Sequence, residues 1–399
     1  MIISKYQDVQ SISKLPKSEW QLIKFEDLLI DNSKQASKIK KGSYFEEGKF
    51  PIIDQGKSYI SGYTSSSEGL YEEIPAIVFG DHTRVLKYVD FPLFLGADGV
   101  KLLRNKKSEE EVLTKYIYYY LCTINLPDTG YNRHFKYLKE IVFPIPNISI
   151  QKKIVQVLDK SHETINKRKA QIEALDQLTQ SVFVEMFGDP IKNNKGYQTE
   201  KLSNLSNKIT DGTHHSPPST EEGVPYITAK HLREDGLDFY SNPTYVSKDE
   251  HKKIYARCNP EKGDVLYIKD GVTTGIARIN KYDFQFSMLS SLALIKPNVS
   301  RINSYYLVYY LNNQGVFNRI TNNMSGGAIK RLTLKKINQI EVNVPPIELQ
   351  NQFSKYIQEI EQKKLILKQG EKLLENNYNS IMQRAFKGEL FTQEELLNA

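Results

Sequence analysis

The chain repeats itself once, in two units of nearly 200 residues. The stretch Leu138–Pro146 (LKEIVFPIP) returns as Ile337–Pro345 (INQIEVNVP), and each is followed by a short lead-in and a glutamine, Gln151 and Gln350. Upstream, the tyrosine-rich run Lys115–Leu121 returns as Tyr305–Leu311, and the opening Trp20–Phe25 returns as Tyr197–Leu202. The closings Val182–Gly188 and Ile381–Gly388 also match. Five anchors in one order restrict the fold to two copies of one supersecondary plan.

Each unit begins with a mixed segment rich in Gly, Pro, Thr and Tyr. Short apolar runs such as Ile74–Phe79 and Asp264–Ile268 read as strands between turn residues. The tyrosine runs read as helices, because apolar residues fill several faces over two turns. The fold class expected is therefore α+β, with two similar domains. After each mixed segment comes a proline-free helical stretch, from about residue 150 to 187 and from about 348 to 386, each roughly 55 Å long. Ile154, Leu158, Ile165, Ile172, Leu175 and Val182 recur at steps of 3, 4 or their sum, 7, in the first, with Ser161 and Arg168 as interruptions. Phe353, Ile357, Ile360, Leu367, Leu374, Tyr378, Ile381 and Ala385 do the same in the second, interrupted by Lys364 and Glu371. A seam of period 3.5 on two related helices predicts that they pack together as a coiled coil, with the polar positions setting register and partner choice.

No apolar run approaches the roughly 20 residues of a membrane-spanning helix, and the start lacks a secretory apolar stretch. Two cysteines cannot supply a zinc tetrad or a disulfide framework, so a reducing cytoplasm is the expected compartment. The charge of +7 is compatible with a polyanionic partner. Catalytic signatures fail. Gln55-Gly56-Lys57-Ser58 resembles the end of a phosphate-binding loop, yet Pro51 stands where that loop needs glycine. Neither Pro-Pro pair fits a methyltransferase motif, and no Gly-x-Ser-x-Gly, His-Glu-x-x-His or Cys-x-x-Cys occurs. His214 and His215 have no carboxylate or cysteine at ligand spacing, so no catalytic residue and no metal site is assigned.

Polar, glycine-bearing loops are the candidate functional residues, because Arg, Lys, His, Asn, Thr and Tyr both clamp phosphates and read base edges. The first unit offers Lys57, Tyr59, Tyr63, His82, Arg84, Asn132, Arg133 and Lys136. The second offers Thr213, His214, His215, Lys230, His231, Lys269, Thr274, Arg278, Lys330 and Arg331.

From about Trp20 to Leu390 the chain resembles the specificity subunit of type I DNA restriction–modification systems. The resemblance rests on Asp211–Pro218, Gly223–Lys230, Gly263–Ile268 with Thr274–Arg278, and Ser325–Leu334 running into Val344–Gln350. In the first unit Gly42–Tyr63 and Ile77–Asp81 look like another subtype of the same domain. The resemblance implies two target recognition domains, residues 20–146 and 189–346, each binding one half of a split, asymmetric DNA site. It implies two antiparallel spacer helices, 147–188 and 347–390; a leader at 1–19 and a tail at 391–399 extend that pattern. It also implies methyltransferase subunits, two per specificity subunit, docked along the helices, and restriction/translocase subunits that join for cleavage. S-adenosylmethionine, ATP and Mg would then serve those partners, and this chain would hold no cofactor and catalyse nothing. Two competing readings are a stand-alone DNA methyltransferase or nuclease with unrecognised motifs, and a coiled-coil adaptor whose globular ends bind proteins.

Overall fold

The computed structural model describes residues 20–96, 99–130, 132–233, 236–322 and 331–391. These fall into two compact units, one running to Lys169 and resuming at Gln369, the other Ala170–Lys368. Each unit is α+β, as the sequence implies, and the repeat is legible bond by bond inside each.

In the first unit four antiparallel strands lie in the order Leu29–Asp31, Val100–Asn105, Ala76–Gly80 and Leu86–Val89. Ala76–Gly80 is buried along its whole length, which explains its unbroken apolar sequence. A second sheet sets Phe50–Ile53 parallel to Phe94–Gly96. The second unit repeats the first sheet with Ser206–Asp211, Leu292–Pro297, Val265–Ile268 and Ala277–Ile279 in the same order. There Val224–Ile227 runs parallel to Ser287–Met288. Each unit is closed by a two-stranded ribbon made from its opening and its Pro-bearing anchor, Gln21 opposite Ile145 and Gln198 opposite Val344.

The tyrosine runs form the helices Thr114–Cys122 and Ser304–Asn312. Two tyrosines of each helix are buried with the hydroxyl spent on the ribbon. Tyr116 donates to Pro144 O at 2.5 Å and Tyr306 to Asn343 O at 2.7 Å. Tyr120 and Tyr310 donate to Val142 O and Glu341 O, at 3.2 and 3.3 Å. The amphipathic ring fits this place because its body joins the core while its tip satisfies a strand carbonyl.

Two 40-residue helices, Ile148–Phe187 and Ile347–Phe386, each about 60 Å long, follow the ribbons. The compact units divide each of them near its middle. The reason lies in the cores. Ile150, Ile154 and Leu158 from the first helix and Ala385 and Phe386 from the second complete the core of the first unit. Phe183 and Phe187 join Phe353 and Ile357 in the core of the second. Phe386 packs on Tyr116 and Tyr120 with centroids 5.3 Å away, and Phe187 packs on Tyr306 at 4.7 Å.

Within each unit the helix segments pair antiparallel. In the first, His162 meets Tyr378 at 5.9 Å and Lys169 Nζ reaches Glu375 at 3.0 Å. In the second, Asp176 pairs with Lys364 and Phe183 meets Phe353 at 5.6 Å. Ile154, Leu158, Ile165, Phe353 and Ile357 are buried, and Ile172, Leu175, Val182, Ile360, Leu367, Leu374 and Ile381 are half-buried. The polar seam positions are matched too. Ser161 bonds its own helix at Val157 O, Lys364 takes Asp176, and Glu371 lies 3.7 Å from Lys169. Arg168 lies across Gly370, where a Cβ would sit 2.4 Å from its Nη1.

Candidate nucleic-acid interface

At one end of the first unit's central sheet, several loops are tied together by buried polar groups. Lys87 is buried and donates from Nζ to Asp54 O at 2.8 Å and Ser58 O at 2.6 Å, which holds the 54–58 loop with Lys57 exposed upon it. Burial lowers the Lys87 pKa, partly offset by the Asp54 carboxylate. Thr83 Oγ1 donates to Gln55 O at 2.6 Å, joining this loop to the one that carries His82 and Arg84. Gly99 has φ +69, and a Cβ there would stand 2.7 Å from the His82 ring and 2.9 Å from the Gln55 amide. Glycine is what lets those two side chains lie against the backbone.

Buried Asp81 stitches in the loop that runs into the helix Phe135–Leu138. Its main-chain O accepts from His134 N at 2.9 Å, and its Oδ1 accepts from Phe135 N at 2.8 Å. That anchoring leaves Asn132, Arg133 and Lys136 exposed, with Lys136 over the Tyr137 ring at 4.9 Å. Asn132 also closes its own turn through Thr129 O. Arg84, at φ +62, is paired with Asp128 at 3.0 Å. Lys57, His82, Arg84, Asn132 and Arg133 are thus carried by loops linked to one another, with Lys136 on the short helix that follows. Tyr59 and Tyr63 stand apart from them. Tyr59 donates to Tyr88 O at 2.5 Å and packs on Phe91, while Tyr63 sits within a strand, opposite Pro51.

The second unit centres on Asp211, only 2 % exposed, at the end of its strand. Lys269 Nζ lies 3.3 Å from Oδ2, while Arg257 Nη2 and His214 Nε2 converge on Oδ1, the latter at 3.4 Å. Beside them His215 bonds Thr213 Oγ1 at 2.8 Å through Nδ1 and Glu250 at 3.2 Å through Nε2. Lys253, followed by His215, holds the Glu250 carboxyl below its usual range. Arg331 lies 3.5 Å from Asp270, and Lys230 reaches Thr244 at 2.6 Å and Asn242 at 3.1 Å. Lys330 lies outside the described residues.

Four expected ligand-facing residues are instead scaffolding. Thr213, His231, Lys269 and Thr274 are buried. His231 spends both ring nitrogens on the main chain, accepting from Thr228 N and bonding Asn242 O, each at 2.9 Å, and burial lowers its pKa. Lys269 serves Asp211, Thr274 closes a turn on Gly271 O at 2.7 Å, and Thr213 is held by Met288 O. Arg278 is half-buried and donates to Arg233 O at 2.6 Å and to Ala277 O at 2.8 Å. Conversely, Lys87 and Arg257 lie outside the candidate loops, and Asp81 and His134 lie within them without being singled out as ligand-facing. Arg257 had a faint signal, the basic spacing Lys253-x-x-x-Arg257, but its partner stands 46 positions away.

Among the described residues no cluster of three or more His, Cys, Asp or Glu could hold a metal ion, and no helix is long and apolar enough to cross a membrane. The fold and the loop ends define an internally duplicated recognition protein, one α+β head built twice with different polar side chains. The type I restriction modification DNA specificity domain matches twice, at residues 17–175 and 194–376, so the chain belongs to that family as a non-catalytic specificity subunit. It is 23% identical over 324 residues to the MjaIX specificity subunit of Methanocaldococcus jannaschii, covering 73% of this chain and 72% of that relative. To the EcoR124I/EcoR124II specificity subunit of Escherichia coli it is 21% identical over 336 residues, 79% and 80% of the two chains. The S subunit of a type I system from M. genitalium shares the fold at TM-score 0.57 and 19% identity, covering 93% of this chain and 97% of that one. A chain from a structure of type I system assembly and conformational transition gives 0.52 at 17%, covering 94% and 99%. Neither the stand-alone enzyme nor the adaptor reading receives support.

Proposed function

We propose that each head reads one half of a bipartite, asymmetric site in double-stranded DNA, and that the two long helices set the unread spacer. The observation that carries this reading is one scaffold presenting two different polar sets. Lys57, His82, Arg84, Asn132, Arg133 and Lys136 stand in the first head, and His214, His215, Lys230 and Arg331 in the second. Lys and Arg neutralise phosphates and supply affinity, while a few side chains per head read bases. Methyltransferase subunits, two per chain, dock along the helices, and restriction/translocase subunits join them. The exposed Leu365, Ile366 and Leu373 on the second helix suit such a docking surface. S-adenosylmethionine, ATP and Mg act on those partners, in the cytoplasm.

The test exchanges residues 20–146 for the corresponding domain of a relative and maps methylation by the assembled complex. One half of the recognised sequence changes and the other stays. A change in both halves overturns the modular reading.

A further inference from the structure

Resting on that reading of the second head, we infer that Arg257 is a base-reading residue and that buried Asp211 is its positioning residue. The side chain donates to acceptors on a base edge in the major groove, the N7/O6 chemistry of guanine. Three features of its surroundings support this.

First, the guanidinium is half exposed, with a side-chain exposure of 52 %, yet it is anchored. Nη2 is bonded to Asp211 and stands 3.3 Å from His214 Nε2, while among the described residues Nε and Nη1 have no protein partner. Second, the anchor is itself fixed, because the other Asp211 oxygen faces buried Lys269. Lys208 Nζ donates to Arg257 O at 2.8 Å, which pins the end of the helix Lys248–Arg257 on which the arginine sits. A planar guanidinium held this way loses little rotamer freedom on binding and presents its donors in a set plane. Base readout needs that placement, to within about 0.5 Å. Third, the Asp211 carboxylate takes up part of the arginine's charge, so what Arg257 offers a ligand is its fixed donors more than a free charge. The exposed Lys252 and Lys253 on the same helix have no such buried anchor and suit the phosphates.

The experiment uses the full chain in its methyltransferase complex, acting on a plasmid library of randomised sequence, with methylated positions read by sequencing. Affinity for a selected duplex is followed across a salt series. In Arg257→Lys the charge stays but the fork is lost. One G·C position in one half-site then loses its preference, on the order of 5- to 150-fold, while the other half-site and the salt slope do not move. Asp211→Asn gives the same relaxation at the same position, more weakly, and a thermal melt checks that it folds. Uniform weakening over all sequences with a salt slope lower by about 0.9 identifies a phosphate contact and overturns the assignment. So does an unchanged word. A separate variant with His214, His215, Lys230 and Arg331 all changed to Ala tests the parent reading. If it keeps both word and affinity, the loop-end interface itself fails. If it loses them while Arg257→Lys is silent, only the Arg257 assignment falls.

Discussion

Replacing Gln151 by Met tests whether the duplicated glutamine is the fastener between each head and its long helix. Gln151 is fully buried at the first turn of the helix. Its Oε1 accepts from Leu113 N at 2.9 Å, and its Nε2 donates to Pro146 O at 2.9 Å and Glu111 O at 3.0 Å. Methionine fills nearly the same volume but makes none of these bonds. Pro146 O then lacks its buried donor, at about 1–3 kcal/mol, and the two part-buried bonds contribute about 0.5–1.5 kcal/mol each. The expected destabilisation is about 2–6 kcal/mol. Gln151→Glu is worse at neutral pH, because a carboxylate faces two carbonyl oxygens in a buried site, and it recovers partly in acid, where the protonated group can again donate. Gln350 makes the same three bonds, accepting from Asn303 N at 2.9 Å and donating to Pro345 O at 2.8 Å and Arg301 O at 3.2 Å. Its Met variant should therefore cost the same to within about 1 kcal/mol. Hydrogen exchange at the Leu113 and Asn303 amides, alongside urea unfolding, reads the two sites separately. A cost below about 1 kcal/mol, or a Glu variant as stable as wild type at neutral pH, refutes the reasoning.

Alkali should unfold this protein through its tyrosines. Burial pushes Tyr88, Tyr226, Tyr305 and Tyr378 up to about 12, and Tyr116 and Tyr306 higher still. The folded chain keeps protons that the unfolded chain releases near pH 10, so this stability is intact below about 10 and lost as the pH climbs toward 12 and beyond. Tyrosinate absorbance from these rings should rise together with loss of circular dichroism, and their ionisation near 10 with the fold intact would count against it. On the helices, Leu158→Ala empties a fully buried seam position and should cost about 2–5 kcal/mol by chemical unfolding. Leu365→Ser together with Ile366→Ser should change stability by no more than about 0.5 kcal/mol each yet weaken co-purification of the methyltransferase subunits. Undiminished co-purification would remove these residues from the docking surface.

The repeat, the tyrosine helices, the long helices and their seam were legible in the sequence because each is a local or periodic pattern. Period 3.5 survives without knowledge of any partner, and the anchors Pro146, Gln151 and Tyr116 recur because each head must be fastened by the same bonds. The candidate loops were legible as polar and glycine-bearing, but not which of their side chains face outward. Thr213, His231, Lys269 and Thr274 look like ligands in a one-dimensional string and prove to be supports. Arg257 sits in an ordinary basic helix until folding brings it to Asp211. Likewise, only the folded chain assigns the halves of each long helix to different cores, joining Phe386 to Tyr116 and Phe187 to Tyr306. Burial and ion pairing depend on neighbours supplied from tens or hundreds of positions away, so their outcome is written in the packing and not in any local stretch of residues.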